Sequence, residues 1–239
     1  MRDGDRKVSR RYTLAKESRS VRIGIIGAGK VGTGIAKRLM AKGHSVMLSF
    51  SREQEKLAMI AADLRARVGA VAETVEFADV VMLAVPWGAV PEALAQVGSE
   101  APKRILWDCT NALKPDLSGL AIGTTTSGGE EIAKLAPWAT VVKAIPPFAQ
   151  MLHSPSMLIG EKRTDVFVCS DDDNARVVVS KLISEIGAQP VDAGPLAFAR
   201  YVEPAVMLLV QLAYARAWGP RIGISVLRGE PASGPIRGV

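Results

Sequence analysis

The residues whose types and spacing could do chemistry begin with three glycines. The segment "IGIIGAGKVGTG" carries G-x-G-x-x-G as Gly27, Gly29 and Gly32. An apolar run suited to a strand precedes it and a helical pattern follows it, the context a dinucleotide-binding turn requires. Gly27 can take the tight turn, Gly29 lets the backbone approach a pyrophosphate, and Gly32 allows helix and strand to pack closely. A helix starting at Lys30–Val31 then aims free N–H groups and its positive dipole end at phosphate. The sequence therefore places a dinucleotide on Gly27, Ala28, Gly29, Lys30, Val31 and Gly32.

About twenty residues on, sites that bind NAD offer a carboxylate to the ribose 2′-hydroxyl. The stretch "GHSVMLSFSREQEKL" ends its strand in Ser51–Arg52 instead. A hydroxyl donor and a planar guanidinium fork suit a 2′-phosphate, which a carboxylate would repel. Lys56 follows one helical turn after Arg52, so both cations can share a face. The expected ligand is NADP(H). The competing reading is a solvated helix start in which Arg52 pairs with Glu53 or Glu55.

Acid–base and nucleophilic groups are sparse. His44 is expected in a surface or capping role after the first helix, and His153 in a structural role within "AQMLHSPSM". Cys109 and Cys169 lie sixty residues apart, a spacing that suggests neither a disulfide scaffold nor a metal site. Asp108 and Asn111 flank Thr110 at a central strand end, where open sheets bind ligands. There Thr110 and Asn111 could contact ribose or substrate, or simply build a turn.

Reduction of a carbonyl usually needs a positioned acid. Hydride transfer between two ring cofactors needs little beyond correct apposition, because the cofactors carry the chemistry. Apolar strand ends meet that need: Ala84, Val85, Pro86 and Trp87; then Ile145, Pro146, Pro147 and Phe148; then Met207 on the last helix. Trp87, Pro146, Phe148 and Met207 are the candidates for the hydride-transfer pocket, though each also suits ordinary core or loop.

Positioning these residues falls to apolar strands alternating with amphipathic segments from Val21 onward, the signature of βαβ units and a parallel sheet. The pattern predicts strands over "VRIGII", "SVMLSF", "ADVVMLAV", "RILWDCT", "ATVVKAI", "DVFVCS" and "QPVDAGPL", with a weak strand near 70–76. Helices are expected after Gly29, over about 52–68, at "PEALAQVG", after Ser127 and over "DDDNARVVVSKLISEIG". A long apolar helix over about 195–218 should be buried on several sides, across the sheet or against another subunit.

The chain has 239 residues, 48% of them hydrophobic but only 5% aromatic, which favours an Ala/Val/Leu/Ile-rich α/β interior. The formal charge is +6. Residues 1–22 hold eight basic side chains against three acidic ones, so five of those six charges sit in the N-terminal segment and the body is near neutral. That distribution argues against a folded nucleic-acid surface. "SRRYTLAK" resembles a twin-arginine export signal, but "ESRSVR" follows where an apolar run of about 7–15 residues is needed. No stretch reaches the roughly 18 uninterrupted apolar residues of a membrane span. The expected protein is cytoplasmic.

Several segments together resemble the NADPH-dependent coenzyme F420 reductases, also called F420-dependent NADP oxidoreductases. These are "IGIIGAGKVGTGIAKRLMAKGHSV", the strand-end "SR" with Lys56, "ADVVMLAVPW", "VVKAIPPFA", "VFVCSDDDNARVVVSKLISEIGAQPVDAGPL" and "ARYVEPAVMLL". They span about residues 21–215, and the D-x-G-P-L…R-x-x-E stretch from Asp192 to Glu203 is more specific than the glycine motif. The resemblance implies an α/β fold: a Rossmann-type, doubly wound, mostly parallel sheet with a small C-terminal helical part. It implies hydride transfer between NADP(H) and the deazaflavin coenzyme F420, or a flavin. Ala28, Gly29, Lys30 and Val31 would line the pyrophosphate, and Ser51, Arg52 and Lys56 would hold the 2′-phosphate. Pro86 and Trp87 would lie beside the nicotinamide. Where family members carry a polar residue after "VVKA", this chain has "KAIPPF", whose two prolines remove backbone donors from a pocket wall.

The expected organisation is a basic disordered extension over 1–20, an NADP-binding domain over 21–193, a helical part over 194–228 that supports a homodimer, and a flexible tail over 229–239. Two rival functions remain at this level. One is a non-catalytic NADPH-binding sensor or scaffold; the other is an NADPH-dependent reductase of a small carbonyl or imine.

Overall fold

The isoleucine- and valine-rich runs become the centre of one sheet. In the computed structural model, which describes residues 20–51 and 53–229, eight strands join edge to edge. They are β1 Arg22–Ile26, β2 Ser45–Ser49, β3 Arg67–Val68, β4 Val80–Leu83, β5 Arg104–Asp108, β6 Ala139–Lys143, β7 Asp165–Cys169 and β8 Gln189–Gly194. Their order is β3-β2-β1-β4-β5-β6-β7-β8, parallel throughout except where β7 meets β6. The order reverses between β1 and β4, and ligands of such sheets sit outside the carboxyl ends of the strands at that switch point.

Alternate residues of each central strand face opposite layers. Ile23, Ile25, Val80, Met82, Trp107 and Val142 point to a core shared with helices α1 (Lys30–Met40), α2 (Gln54–Leu64), α6 (Ala149–His153) and α7 (Asp173–Glu185). Ile26, Val81, Leu83, Leu106 and Val141 face the other side and pack on α3 (Val71–Phe77), α4 (Val90–Ala95) and α5 (Gly128–Leu135). Two covered faces explain why these strands read as continuous apolar runs. Full burial of Ile35 and Leu39 on α1 contributes about 1.5–3 kcal/mol apiece toward seating that helix.

Three expectations need correction. The segment near 70–76 is helix α3, not a strand: Val71 and Val75 lie one turn apart and are buried, and the Glu73 carboxylate accepts the Ala70 N–H at 2.8 Å. The strand there is two residues earlier and short, because α2 stops at Leu64 when Arg65 takes a left-handed conformation. Arg67 and Val68 can then pair with Met47 and Leu48. His44 is buried instead of lying at the surface: its Nδ1 accepts the Val21 N–H at 3.0 Å, and Nε2 lies 2.6 Å from Glu185 on α7. It joins the turn after α1 and the residue before β1 to α7, a structural duty.

Beyond β8 the chain makes a 3₁₀ turn at Leu196–Phe198, helix α8 (Ala199–Val210) and a π-helical turn at Gln211–Ala215. By length and composition the Leu196–Ala215 segment would suit a membrane span, with 39% of its most apolar 18-residue window buried in this fold. Two charged side chains one turn apart dock it on the protein. Arg200 makes a two-pronged pair with Glu130 at 2.8 and 2.6 Å, and Glu203 enters the core. The remaining chain returns along the start of β7, where Ile224 accepts the Asp165 N–H at 2.8 Å. The expected extension over 1–20 and the tail over 229–239 fall, but for Ser20 and Gly229, outside the described residues.

Candidate active site

The glycine turn is built as its spacing demands. Gly27 has φ +116°, and a Cβ there would lie 2.4 Å from the Ala84 carbonyl oxygen, so the turn after β1 presses against the end of β4. A Cβ on Gly32 would lie 2.1 Å from the Gly27 oxygen, which seats α1 directly on the turn. Gly29 is different: it is exposed, and nothing lies within 4 Å of where its Cβ would be. The protein's own packing does not require a glycine there. No side chain caps α1 and no acid lies in its first turn, leaving the positive end of the helix for an anion. Thr33 bonds back to the Gly29 carbonyl through both N–H (3.0 Å) and hydroxyl (2.9 Å), holding the turn's shape.

Two hollows flank this turn. On one side a depression of about 450 Å³ runs from Phe50 and Ser51 past Gly69 and Val71 to Ala89 and Glu92. Ser51 Oγ accepts the Glu53 N–H at 3.2 Å, a short turn that launches α2. Lys56 stands exposed one turn into that helix, 3.5 Å from Glu53. Arg52, the centre of the 2′-phosphate expectation, lies outside the described residues.

On the other side is a cleft of about 460 Å³ that begins at Lys30 and Val31, the first residues of α1. It exists because β7 runs against β6 and meets it through their last residues, Lys143 and Cys169, so the start of β7 stands beyond the end of β6. Ile145–Phe148 form one wall, Val166 of β7 another, and Val206 and Tyr214 from the C-terminal helix close the third. Phe148 and Tyr214 meet edge to face at 5.9 Å. His153 fixes this wall to α1: its Nε2–H donates to the Lys30 carbonyl at 2.8 Å, over Gly34, where a Cβ would strike the Leu152 side chain at 2.7 Å. Arg38 reinforces the link, donating to the carbonyls of Leu152 (2.7 Å) and Ser154 (2.5 Å) at the end of α6.

Of the pocket candidates, the structure brings Pro146 and Phe148 into this cleft together with Lys30, Val31 and Asn111. Met207 is buried and Trp87 borders a separate groove of about 480 Å³ with Ile122 and Leu135. Ala84 and Val85 abut Gly27, while Pro86 is exposed beside them. Thr110 is buried at the end of β5.

Sequence reasoning missed a charged cluster behind the cleft. Lys143 is fully buried, with Nζ 2.6 Å from Asp108, 3.0 Å from Glu203 and 2.9 Å from the Thr110 carbonyl oxygen. The Glu203 carboxylate also accepts the N–H groups of Gly128 (2.9 Å) and Gly129 (3.0 Å), the first turn of α5. Burial pulls the Lys143 ammonium toward deprotonation, but the two carboxylates outweigh it and hold its pKa above the ordinary lysine value. One cation, two carboxylates and a positive helix end thus balance in a place without water contact. The R-x-x-E spacing of Arg200 and Glu203 was the available signal, since two charges one turn apart in an apolar helix demand partners. Burial lifts the Cys109 thiol well above its usual range and pushes Cys169 up to about 12, which disfavours the thiolate at both. The described residues hold no cluster of three or more metal-ligating side chains.

The pattern describing the family "NADP oxidoreductase coenzyme F420-dependent" matches residues 22–112. Metalloreductase STEAP3 of Rattus norvegicus is 29% identical over 189 residues, 79% of this chain, which spans 37% of that protein's length. A crystal structure from Arthrobacter sp. FB24 shares the fold, with a TM-score of 0.77 at 24% identity over 87% of this chain and all of that one. The F420-dependent NADP reductase of Methanothermobacter marburgensis is 30% identical over 202 residues, covering 78% of this chain and 89% of that enzyme. With its glycine turn, switch-point cleft and near full-length match to that enzyme, the chain belongs to the family of F420-dependent NADP reductases.

Proposed function

We propose that this protein exchanges hydride between NADP(H) and a ring cofactor, coenzyme F420 or a flavin. One observation carries the reading: Lys30 and Val31 belong both to the uncapped helix start behind the glycine turn and to the wall of the apolar cleft. A dinucleotide whose diphosphate sits on that helix start has its reactive end within reach of the cleft. NADP(H) supplies or takes up the hydride, and the second ring completes the exchange. The chain's own part is to bind and align. Backbone N–H groups over Ala28–Gly32 receive the diphosphate, and Ser51, Arg52 and Lys56 read the 2′-phosphate. Ala84, Val85, Pro86 and Trp87 flank the turn at the end of β4. Thr110 and Asn111 would border the nicotinamide half, and the walls at Pro146, Phe148, Val206 and Tyr214 would shield the reacting ring from water. Such a transfer requires no general acid.

The supporting relatives carry names of this chemistry, an F420-dependent NADP reductase and a metalloreductase. The test is to follow nicotinamide absorbance when purified protein is mixed with NADPH and F420, FMN or FAD in turn. Turnover with one ring acceptor is expected. Tight NADPH binding without turnover on any of them would make the protein a sensor or scaffold instead.

The same reading takes the protein as a cytoplasmic homodimer that binds small molecules and neither nucleic acid nor membrane. Phe198, Tyr201 and Leu208 support the dimer: they form an exposed stripe at helical spacing along the C-terminal helix, opposite the face docked by Glu203.

A further inference from the structure

The turn after β5 is held more firmly than a connection needs. Asp108 Oδ1 accepts both the N–H and the hydroxyl of Thr110 at 2.8 Å, and Lys143 grips the Thr110 carbonyl from behind. The next residue, Asn111, is tied to the C-terminal helix: its Nδ2 donates to the Glu203 main-chain oxygen at 3.3 Å. A carbonyl oxygen only accepts, so the amide must present its nitrogen there. Oδ1 is thereby turned the other way. It is buried and meets no donor among the described residues, while Asn111 itself lines the cleft. The one comparable atom among the described residues, Asp108 Oδ2, has the Lys143 ammonium at 2.6 Å.

A buried acceptor without a donor is costly, and native folds rarely leave one so unless a ligand or an ordered water completes it. The opposite wall offers little help, since Pro146 and Pro147 have no N–H. We infer that Asn111 is a specificity-determining residue of the cleft, whose Oδ1 accepts a hydrogen bond from the N–H of a planar amide or imide on the bound ring. Two ring systems of the proposed reaction carry such a group: the carboxamide of nicotinamide and the imide of a flavin or deazaflavin. The buried ion cluster is the device that positions it, fixing Thr110 on one side and Glu203 on the other. This inference rests on reading the cleft as the hydride-transfer site.

The experiment compares ligands that differ only in that N–H. Dissociation constants are measured for NADP⁺ against its 3-acetylpyridine analogue, and for lumiflavin against 3-methyllumiflavin. Wild-type protein should favour the N–H-bearing member of one pair by about tenfold. Asn111→Leu and Asn111→Ala should each shrink that preference to within about twofold. Which pair responds identifies the ring that Asn111 holds. Because the readout is a ratio within one protein, a general loss of stability does not mimic it. No preference in either pair, as a ribose hydroxyl donor would produce, overturns the inference, and so does a preference that survives both substitutions. Wild-type protein that binds neither NADP⁺ nor lumiflavin refutes the hydride-transfer reading itself, and the role of Asn111 with it. Binding of NADP⁺ with no discrimination in either pair refutes only the role of Asn111.

Discussion

Gly29 and Gly32 stand three residues apart in one motif, yet the structure gives them opposite burdens. Alanine at Gly32 puts a methyl group 2.1 Å from the Gly27 carbonyl oxygen, where ordinary contact begins near 3.4 Å. The helix must retreat from the turn by about 1 Å, and overpacking of that kind costs about 1–3 kcal/mol. The gain in helix propensity, about 1 kcal/mol, offsets part of it. At about 2–4 °C per kcal/mol for a chain of this size, Gly32→Ala should melt several degrees below wild type. Alanine at Gly29 meets nothing within 4 Å, and the backbone there (φ −75°, ψ −176°) is open to any residue. It should leave the melting temperature unchanged or raise it slightly, by restricting the unfolded chain. Its effect should fall on the ligand, since the methyl group occupies the approach to the helix start. NADPH affinity should drop about tenfold or more, roughly 1.4 kcal/mol. Thermal melting by circular dichroism and calorimetric titration with NADPH separate the two. If Gly29→Ala binds NADPH as wild type does, the diphosphate does not cross that residue and the site assignment fails. If Gly32→Ala melts above wild type, the close packing of helix on turn is wrong.

Other substitutions probe the remaining parts of the molecule. Arg52→Ala should weaken NADP⁺ binding far more than NAD⁺ binding; equal loss in a titration with both would remove Arg52 from the 2′-phosphate site. Lys143→Met strips the cation from between Asp108 and Glu203 and should cost about 3–5 kcal/mol in urea unfolding, the penalty of stranding buried carboxylates. Arg200 holds the Glu130 carboxyl below its ordinary value of 4.5, so the pair's stabilisation is complete above that pH and is lost as pH falls through the lowered value. Urea midpoints of wild type should therefore fall more steeply below about pH 4.5 than those of Glu130→Gln. Leu208→Lys on the exposed stripe should shift the sedimentation of the protein toward a monomer, with the melting of each subunit's core unaffected.

Much of the fold is written locally. The order of strands and helices follows from apolar runs long enough to be covered on both faces, and G-x-G-x-x-G acts over six adjacent residues whose contacts are with one another. Ser127 capping α5, accepting the Glu130 N–H at 3.2 Å, is equally local. The segment at 70–76 misled because Val71 and Val75 satisfy strand and helix patterns alike, and only packing against Gly24 of β1, where a Cβ would meet Thr74, selects the helix. The candidate site divides the same way. Its phosphate end is legible because one short segment builds it. Its cleft is not, because the walls come from six separated segments and depend on β7 running against β6. Lys143, Asp108 and Glu203 look in the sequence like three unrelated charges in apolar surroundings. Tertiary structure decides that they neutralise one another, since each alone would be too costly to bury, and in doing so they orient Asn111. What the chain determined by itself was the place where a nucleotide's phosphates could rest; what its folding decided was the shape and polarity of the room beyond them.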